Sequence, residues 1–305
     1  VLEGVPRETG FDITPASEIM ATLCLAEARD DLRERLERII VGLTVDRKLV
    51  TASDLEAVGA MMVLLRDAIL PNLVQTCEGV PAIVHGGPFA NIAHGCNSVI
   101  ATKMALAHAD WVITEAGFGF ALGAEKFFDI KSVSAGLQTV AVVLVATVRA
   151  LKRHGGIKKK DLRTPNPAAV EAGLGNLQKH VENIRAFGEV PVVALNRFGD
   201  DSEEEVAIVR AACEAAGVPF AVSDHFAEGG SGAVELAQTV VAHSEKRSSP
   251  FKRLYDWKEP IADKIRKVAQ TMYGAEDVLF SATAIRTRQS SRGIHSCRTF
   301  PSSPT

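Results

Sequence analysis

The chain has 305 residues, 47% of them hydrophobic, and its 34 basic and 37 acidic side chains leave a formal net charge of −3 at pH 7. That hydrophobic fraction suits one large core or two smaller ones and excludes a disordered chain or a fibre, and a near-balanced charge spread along the chain builds no field for nucleic acid or an anionic membrane. Five cysteines, Cys24, Cys77, Cys96, Cys213 and Cys297, are an odd number without CxxC spacing, which argues against a disulfide framework and a zinc site and for a reducing compartment.

No apolar run reaches about 18 residues and no basic-then-apolar leader opens the sequence, so neither a membrane span nor a signal peptide is expected. Val1 stands in mid-pattern, as the first residue of a fragment would. Thr14 followed by Pro15 offers a capping hydroxyl and a ring tolerated at the first helical position, and Ile19, Leu23 and Ala26 then share a face. A second amphipathic run places Leu32, Leu36 and Ile39 together, and residues 39–43 read as a short strand. Thr51-Ala-Ser-Asp54 has the form of a capping box before a helical run through Leu55, Val58, Met62 and Leu65.

The most distinctive stretch runs from Val80 to Lys131. Residues 82–84 and 111–114 read as buried strands, and each leads into a Gly-rich turn, His85-Gly86-Gly87-Pro88 and Ala116-Gly117-Phe118-Gly119. Turns after strand carboxyl ends are where ligands sit in an open α/β sheet, so two of them in one unit predict one composite site. Residues 139–146 form the most continuous β-branched run and are expected to be the central strand, covered on both faces. Residues 157–167 read as a basic, Pro-containing exposed loop, and Leu174, Leu177, Val181 and Ile184 as a helical stripe. Then follow a strand over 190–195, a helix over 203–216, a strand over 219–222 and a helix over 234–243 that leads to a polar loop at 246–250. The β-then-α order implies a mostly parallel, doubly wound α/β sheet.

The motifs GVPRETGFDIT, GGPFANIAHGCNS, TEAGFG, LGAEKFFDIK, VATVRALKRHGG, NRF and AEGGSGAVELA occur in unbroken order between Gly4 and the neighbourhood of Ala282. Together they resemble formate–tetrahydrofolate ligase, and VATVRALKRHGG is close to a signature of that family. The resemblance implies ATP-dependent joining of formate to tetrahydrofolate through formyl phosphate, with Mg²⁺, in a cytoplasmic homo-oligomer whose sheet is related to P-loop NTPases. It implies no nucleic-acid or membrane partner. The fold is then expected to be incomplete. Residues 1–156 would be part of the nucleotide- and folate-binding α/β domain and 157–282 a second α/β region. The Ser- and Arg-rich residues 283–305 would be a disordered tail foreign to the family, with a basic recognition tail as the alternative reading.

A phosphate cradle of the form GxxxxGK[ST] is absent from the 305 residues, and the family has it upstream of the segment matched here. By itself the chain is therefore expected not to make 10-formyltetrahydrofolate. The alternative is a non-catalytic fragment or paralogue that associates with an intact subunit or only binds folate.

The resemblance assigns Arg7 and Thr14 to the neighbourhood of formyl phosphate, although Thr14 also reads as a plain helix cap. Asn196, closing a strand in NRF, would pair with the adenine edge of ATP or merely form a turn. Phe118, between two glycines, would stack on the pterin or drop back into the core, and Phe226 stands where the family usually has Trp. No residue is assigned to a metal. His85 and His94 read as backbone-holding histidines. Arg149 and Lys152 share a helical face that meets ligand anions or solvent, and Lys126 reads in the same way. Two departures from the family pattern are Phe120-Ala121 for Ala-Asp and Ser132-Val133 for Cys-Arg.

Overall fold

A computed structural model describes residues 13–91, 93–245 and 250–285. In chain order its main elements are α1 (Glu18–Leu25), α2 (Arg29–Glu37), β1 (Ile40–Leu43), β2 (Leu49–Thr51), α3 (Val58–Leu64), β3 (Asn72–Gln75), β4 (Pro81–Val84), α4 (Val99–His108), α5 (Val133–Ala135), β5 (Val142–Ala146), α6 (Val148–His154), α7 (Pro167–Ala186), β6 (Pro191–Asn196), α8 (Glu203–Ala215), β7 (Phe220–Ser223), α9 (His225–Glu228), α10 (Val234–Ser244) and α11 (Ile261–Tyr273). Arg7, the polar loop at 246–249 and the tail from residue 286 lie outside the described residues.

Two compact units are present, one holding the residues up to Leu25 together with Pro71–Asp256, the other Ala26–Leu70 and the chain from Trp257 on. The first is built on a parallel sheet in the order β5-β6-β7. Val193 and Leu195 of β6 join Val148 and Leu151 of α6, Val170, Leu177 and Val181 of α7 and Val209 of α8 in one buried cluster. Strand alternation turns Val192 and Ala194 to the opposite face, and they are buried too, with α10 packed on β6 and β7. The central strand is therefore β6, not residues 139–146. Those residues supply β5, which lies at the edge and leaves Val143 and Val145 exposed, because one of its faces lacks a covering layer. The alternation of strand and helix from β5 to β7 follows expectation, and the boundary drawn at 156/157 falls inside this unit, where β5 pairs with β6.

Residues 82–84 do form a strand, but not a buried parallel one. β4 pairs antiparallel with β3 across the turn at Gly79, whose φ is +80°, and both strands are largely solvent-exposed. Residues 111–114 make no strand. Trp111 and Ile113 are exposed, and the one sheet-like contact nearby joins Ala116 to Cys96. Apolar runs marked both segments, yet the described residues leave Val84, Trp111 and Ile113 uncovered. Thr14 opens a single 3₁₀ turn with no side-chain cap, and the hydroxyl of Ser17 instead accepts the Met20 N–H at 3.1 Å at the start of α1.

In the second unit β1 and β2 form an antiparallel hairpin, and Leu32 and Leu36 of α2 are buried, as are Val58 and Met62 of the neighbouring α3. The Thr51–Asp54 box forms reciprocally, with the Asp54 carboxylate accepting the Thr51 N–H at 2.7 Å and the Thr51 hydroxyl accepting the Asp54 N–H at 3.3 Å. It closes a turn rather than a helix, since α3 begins only at Val58. The Thr51 N–H, and the Thr51 hydroxyl, which donates to the same carboxylate at 2.9 Å, hold the Asp54 carboxyl below its ordinary value. α11 ends at Gly274, whose φ of +67° suits the left-handed C-terminal position. Among the described residues no helix is long and apolar enough to cross a membrane.

Candidate functional site

The turn after β4 and the turn before Phe120 meet, as their spacing predicts. Gly86 takes a φ of +71° and lies so close to Cys24 of α1 that a Cβ there would overlap the thiol. Gly95, at φ +65°, lies against Ala90, and its carbonyl accepts the Gly117 N–H at 3.0 Å. Between the two turns is a cleft of about 290 Å³ whose lining includes Gly87, Phe89, Asn97, Glu115 and Phe118. The carbonyl of Pro15 accepts the Phe89 N–H at 3.2 Å, so exposed Thr14 stands one residue from the wall of the cleft. Ser98 caps α4 by accepting the Ala101 N–H at 2.9 Å, and His85 bonds the same hydroxyl through Nδ1 at 2.6 Å. His85 thus holds the side chain that caps α4, a structural role, although its ring bonds a hydroxyl and not the backbone group it was expected to hold.

Behind the cleft, Phe120–Ala124 and Phe127–Ser132 are π-helical, a rare geometry that clusters at functional sites. Gly123 packs on the Gly117 carbonyl where no Cβ would fit. Lys126, between the two segments, donates its ammonium to the Ala90 carbonyl, and Lys131, within the second, is fully buried. Lys131 donates to Asn97 Oδ1 at 2.6 Å and to the Thr102 hydroxyl at 2.9 Å. Burial pulls its pKa down to about 8. Burial first, then the Lys131 and Lys126 cations, pulls His94 down to about 4, so its ring is neutral at pH 7. Burial raises both Cys24 and Cys96 to about 11, so these thiols stay protonated and are not nucleophiles. Phe120, which stands for the Ala of the family pattern, is buried. Its ring packs on Phe128 and Phe187 with centroids 6.1 and 5.8 Å away.

Phe118 does not drop into the core. It is 74% exposed, lines the cleft and holds a φ of +63°, a region that bulky residues avoid. Phe226 is also exposed, at 88%, but lies on α9 just beyond β7 and outside the lining of that cleft. Asn196 ends β6 opposite Ser223 of β7, and Ser223 bonds His225 Nδ1 at 2.9 Å. The Asn196 amide oxygen has no partner there. Asn196 and Phe226 therefore share the carboxyl end of the parallel sheet, while Phe118 and Thr14 belong to the turn cluster.

Lys152 is closed off from solvent, whereas the Arg149 side chain is 28% exposed. The Lys152 ammonium is fully buried 3.0 Å from the equally buried Glu205 carboxylate, which also accepts the Asn166 and Ser202 N–H groups at 2.7 and 2.9 Å. Arg149 pairs with Asp200 and lies 3.9 Å over the Phe198 ring. Spacing alone showed a shared face but not what covers it. Asn97, Glu115 and Lys131 were not singled out by the sequence, since each sits inside a motif without a spacing of its own. Among the described residues no three His, Cys, Asp or Glu side chains converge to hold a metal.

Known proteins resemble this chain over most of its length. The family profile described as formate–tetrahydrofolate ligase matches residues 1–295. A formate–tetrahydrofolate ligase of Phocaeicola vulgatus is 55% identical over 282 residues, covering 92% of this chain and 51% of its own length. Ligases of the same name from Granulibacter bethesdensis and Porphyromonas gingivalis are 56% and 54% identical over 288 and 285 residues, covering 94% and 93% of this chain and 50% and 51% of their own. The chain thus spans about half the length of the curated relatives it matches. A profile match over nearly the whole chain, with identity above one half in relatives that all carry one name, shows that the chain belongs to the formate–tetrahydrofolate ligase family.

Proposed function

We propose that this chain carries the formate- and folate-handling part of an ATP-dependent ligase that makes 10-formyltetrahydrofolate. The observation behind this reading is the convergence of the two best-matching glycine turns on one cleft with an exposed aromatic at its mouth. Phe118 offers a flat face for the pterin ring, with Phe226 as a second aromatic face at the carboxyl end of the sheet. Asn196 offers an unpaired amide oxygen to the adenine amino group of ATP. Thr14, and Arg7 from the same motif, would serve the formyl phosphate formed when formate takes the terminal phosphoryl group. The tetrahydrofolate nitrogen then displaces phosphate from the formyl carbon.

Helices following parallel strands support a relation to P-loop NTPases. The described residues supply no side-chain cage for Mg²⁺, which in this reading travels with the ATP phosphates. The intact enzyme is cytoplasmic and homo-oligomeric in the same reading.

The test is formate- and ATP-dependent formation of 10-formyltetrahydrofolate by the chain alone and by the chain joined to the remainder of a relative's sequence. Turnover in the joined protein only is the expected result, because the 305 residues contain no GxxxxGK[ST] run and phosphoryl transfer depends on such positioning. No turnover by either protein would remove the reading.

A further inference from the structure

The Asn97 amide is oriented by a group that can only donate. A lysine ammonium carries no acceptor, so the Asn97 atom 2.6 Å from Lys131 Nζ is the oxygen. The Thr114 hydroxyl donates to the same oxygen at 3.1 Å. Thr102 takes a second Lys131 N–H at 2.9 Å and has the Ser98 carbonyl 3.1 Å away for its own proton. With its oxygen held on that side, the amide leaves its NH₂ group for the cleft that Asn97 lines.

The cation is a costly way to hold an asparagine if packing were the purpose. Lys131 is fully buried, and both its partners are neutral oxygens. A buried charge without a paired carboxylate is usually outperformed in stability by an apolar side chain of the same volume. What the ammonium supplies, and a methionine does not, is a fixed amide orientation.

We propose that Asn97 is a hydrogen-bond donor of the cleft to a carboxylate or carbonyl oxygen of the bound ligand, and that Lys131 is the positioning residue that aims it. The inference rests on the functional reading above, which offers such oxygens on two compounds, the carboxylate of formate and the carbonyl and carboxylate groups of tetrahydrofolate.

Calorimetric titration of the full chain with each compound separately, alongside thermal melting, tests it. Asn97→Asp keeps an acceptor for Lys131 but offers no N–H, and lowers the affinity for one of the two compounds about tenfold or more. Thr114→Val, at an exposed position, removes the second donor and lowers the affinity for the same compound severalfold. Lys131→Met lowers that affinity too while the melting temperature holds or rises, a separation that a purely structural lysine would not produce. The compound affected identifies which ligand the amide serves. Unchanged affinities in Asn97→Asp would overturn the donor role, and Lys131→Met moving stability and affinity together, or neither, would overturn the positioning role. A wild-type chain that binds neither compound would overturn the functional reading itself and this inference with it.

Discussion

Phe118 holds an aromatic ring on a backbone with φ of +63° between two glycines, and most of the ring is in solvent. A non-glycine residue in the left-handed region costs roughly 1–2 kcal/mol, and such strain clusters at sites where something other than folding retains the side chain. Phe118→Gly should therefore stabilise the chain by about 1 kcal/mol in denaturant unfolding while weakening tetrahydrofolate binding. A destabilised variant would show that the ring packs rather than waits for a ligand. The glycines around Phe118 made it conspicuous in the sequence, but only its exposure showed that it stays out of the core. Lys152 shows the reverse, since its spacing from Arg149 was legible while its burial against Glu205 came from α8, far along the chain.

At the scale of the element, the π-helical stretch is held by the segment 251–256. The Phe251 ring lies tilted against Phe128 with centroids 5.1 Å apart, the Lys252 N–H donates to the Phe187 carbonyl at 2.7 Å, and the Leu254 N–H donates to Asp129 Oδ1 at 2.8 Å. Asp129 and Glu125 hydrogen-bond to each other, and Tyr255 bonds Glu125. Burial, with the neighbouring Glu125 carboxyl, raises Asp129 from an ordinary 3.8 to about 8, and burial raises Glu125 as well. The folded chain thus keeps a proton that the unfolded chain has released. The contribution of the pair is full below pH 3.8 and is lost as pH rises to about 8. Between pH 5 and 9 the melting temperature should fall. Asp129→Asn, which retains an acceptor for the Leu254 N–H, should flatten that dependence, and an equal slope in both proteins would remove the shared-proton account. α11 shows how an element can be legible yet passed over, because Ile261, Ile265, Val268 and Met272 fall on one face before a terminating glycine.

At the scale of the whole molecule, apolar side chains lie open on the first unit, among them Val143 and Val145 on the uncovered face of β5, Trp111 and Ile113. A β-branched edge strand of this kind invites association. The purified chain should bind an apolar dye and scatter light as oligomers, and Val143→Thr with Val145→Thr should reduce both signals. A dye-silent, monodisperse monomer would contradict this. Local patterning was enough to determine the family, the α/β class, the helices α7, α8 and α10 and the two glycine turns, because periodicity, caps and motifs are properties of neighbouring residues. Only the tertiary structure decided that β6 rather than β5 is central, that residues 82–84 pair in a hairpin, and that Lys152 is buried. It also placed Lys131 behind Asn97. Each of those depends on what covers a face or balances a charge, and the groups that do so come from distant parts of the chain.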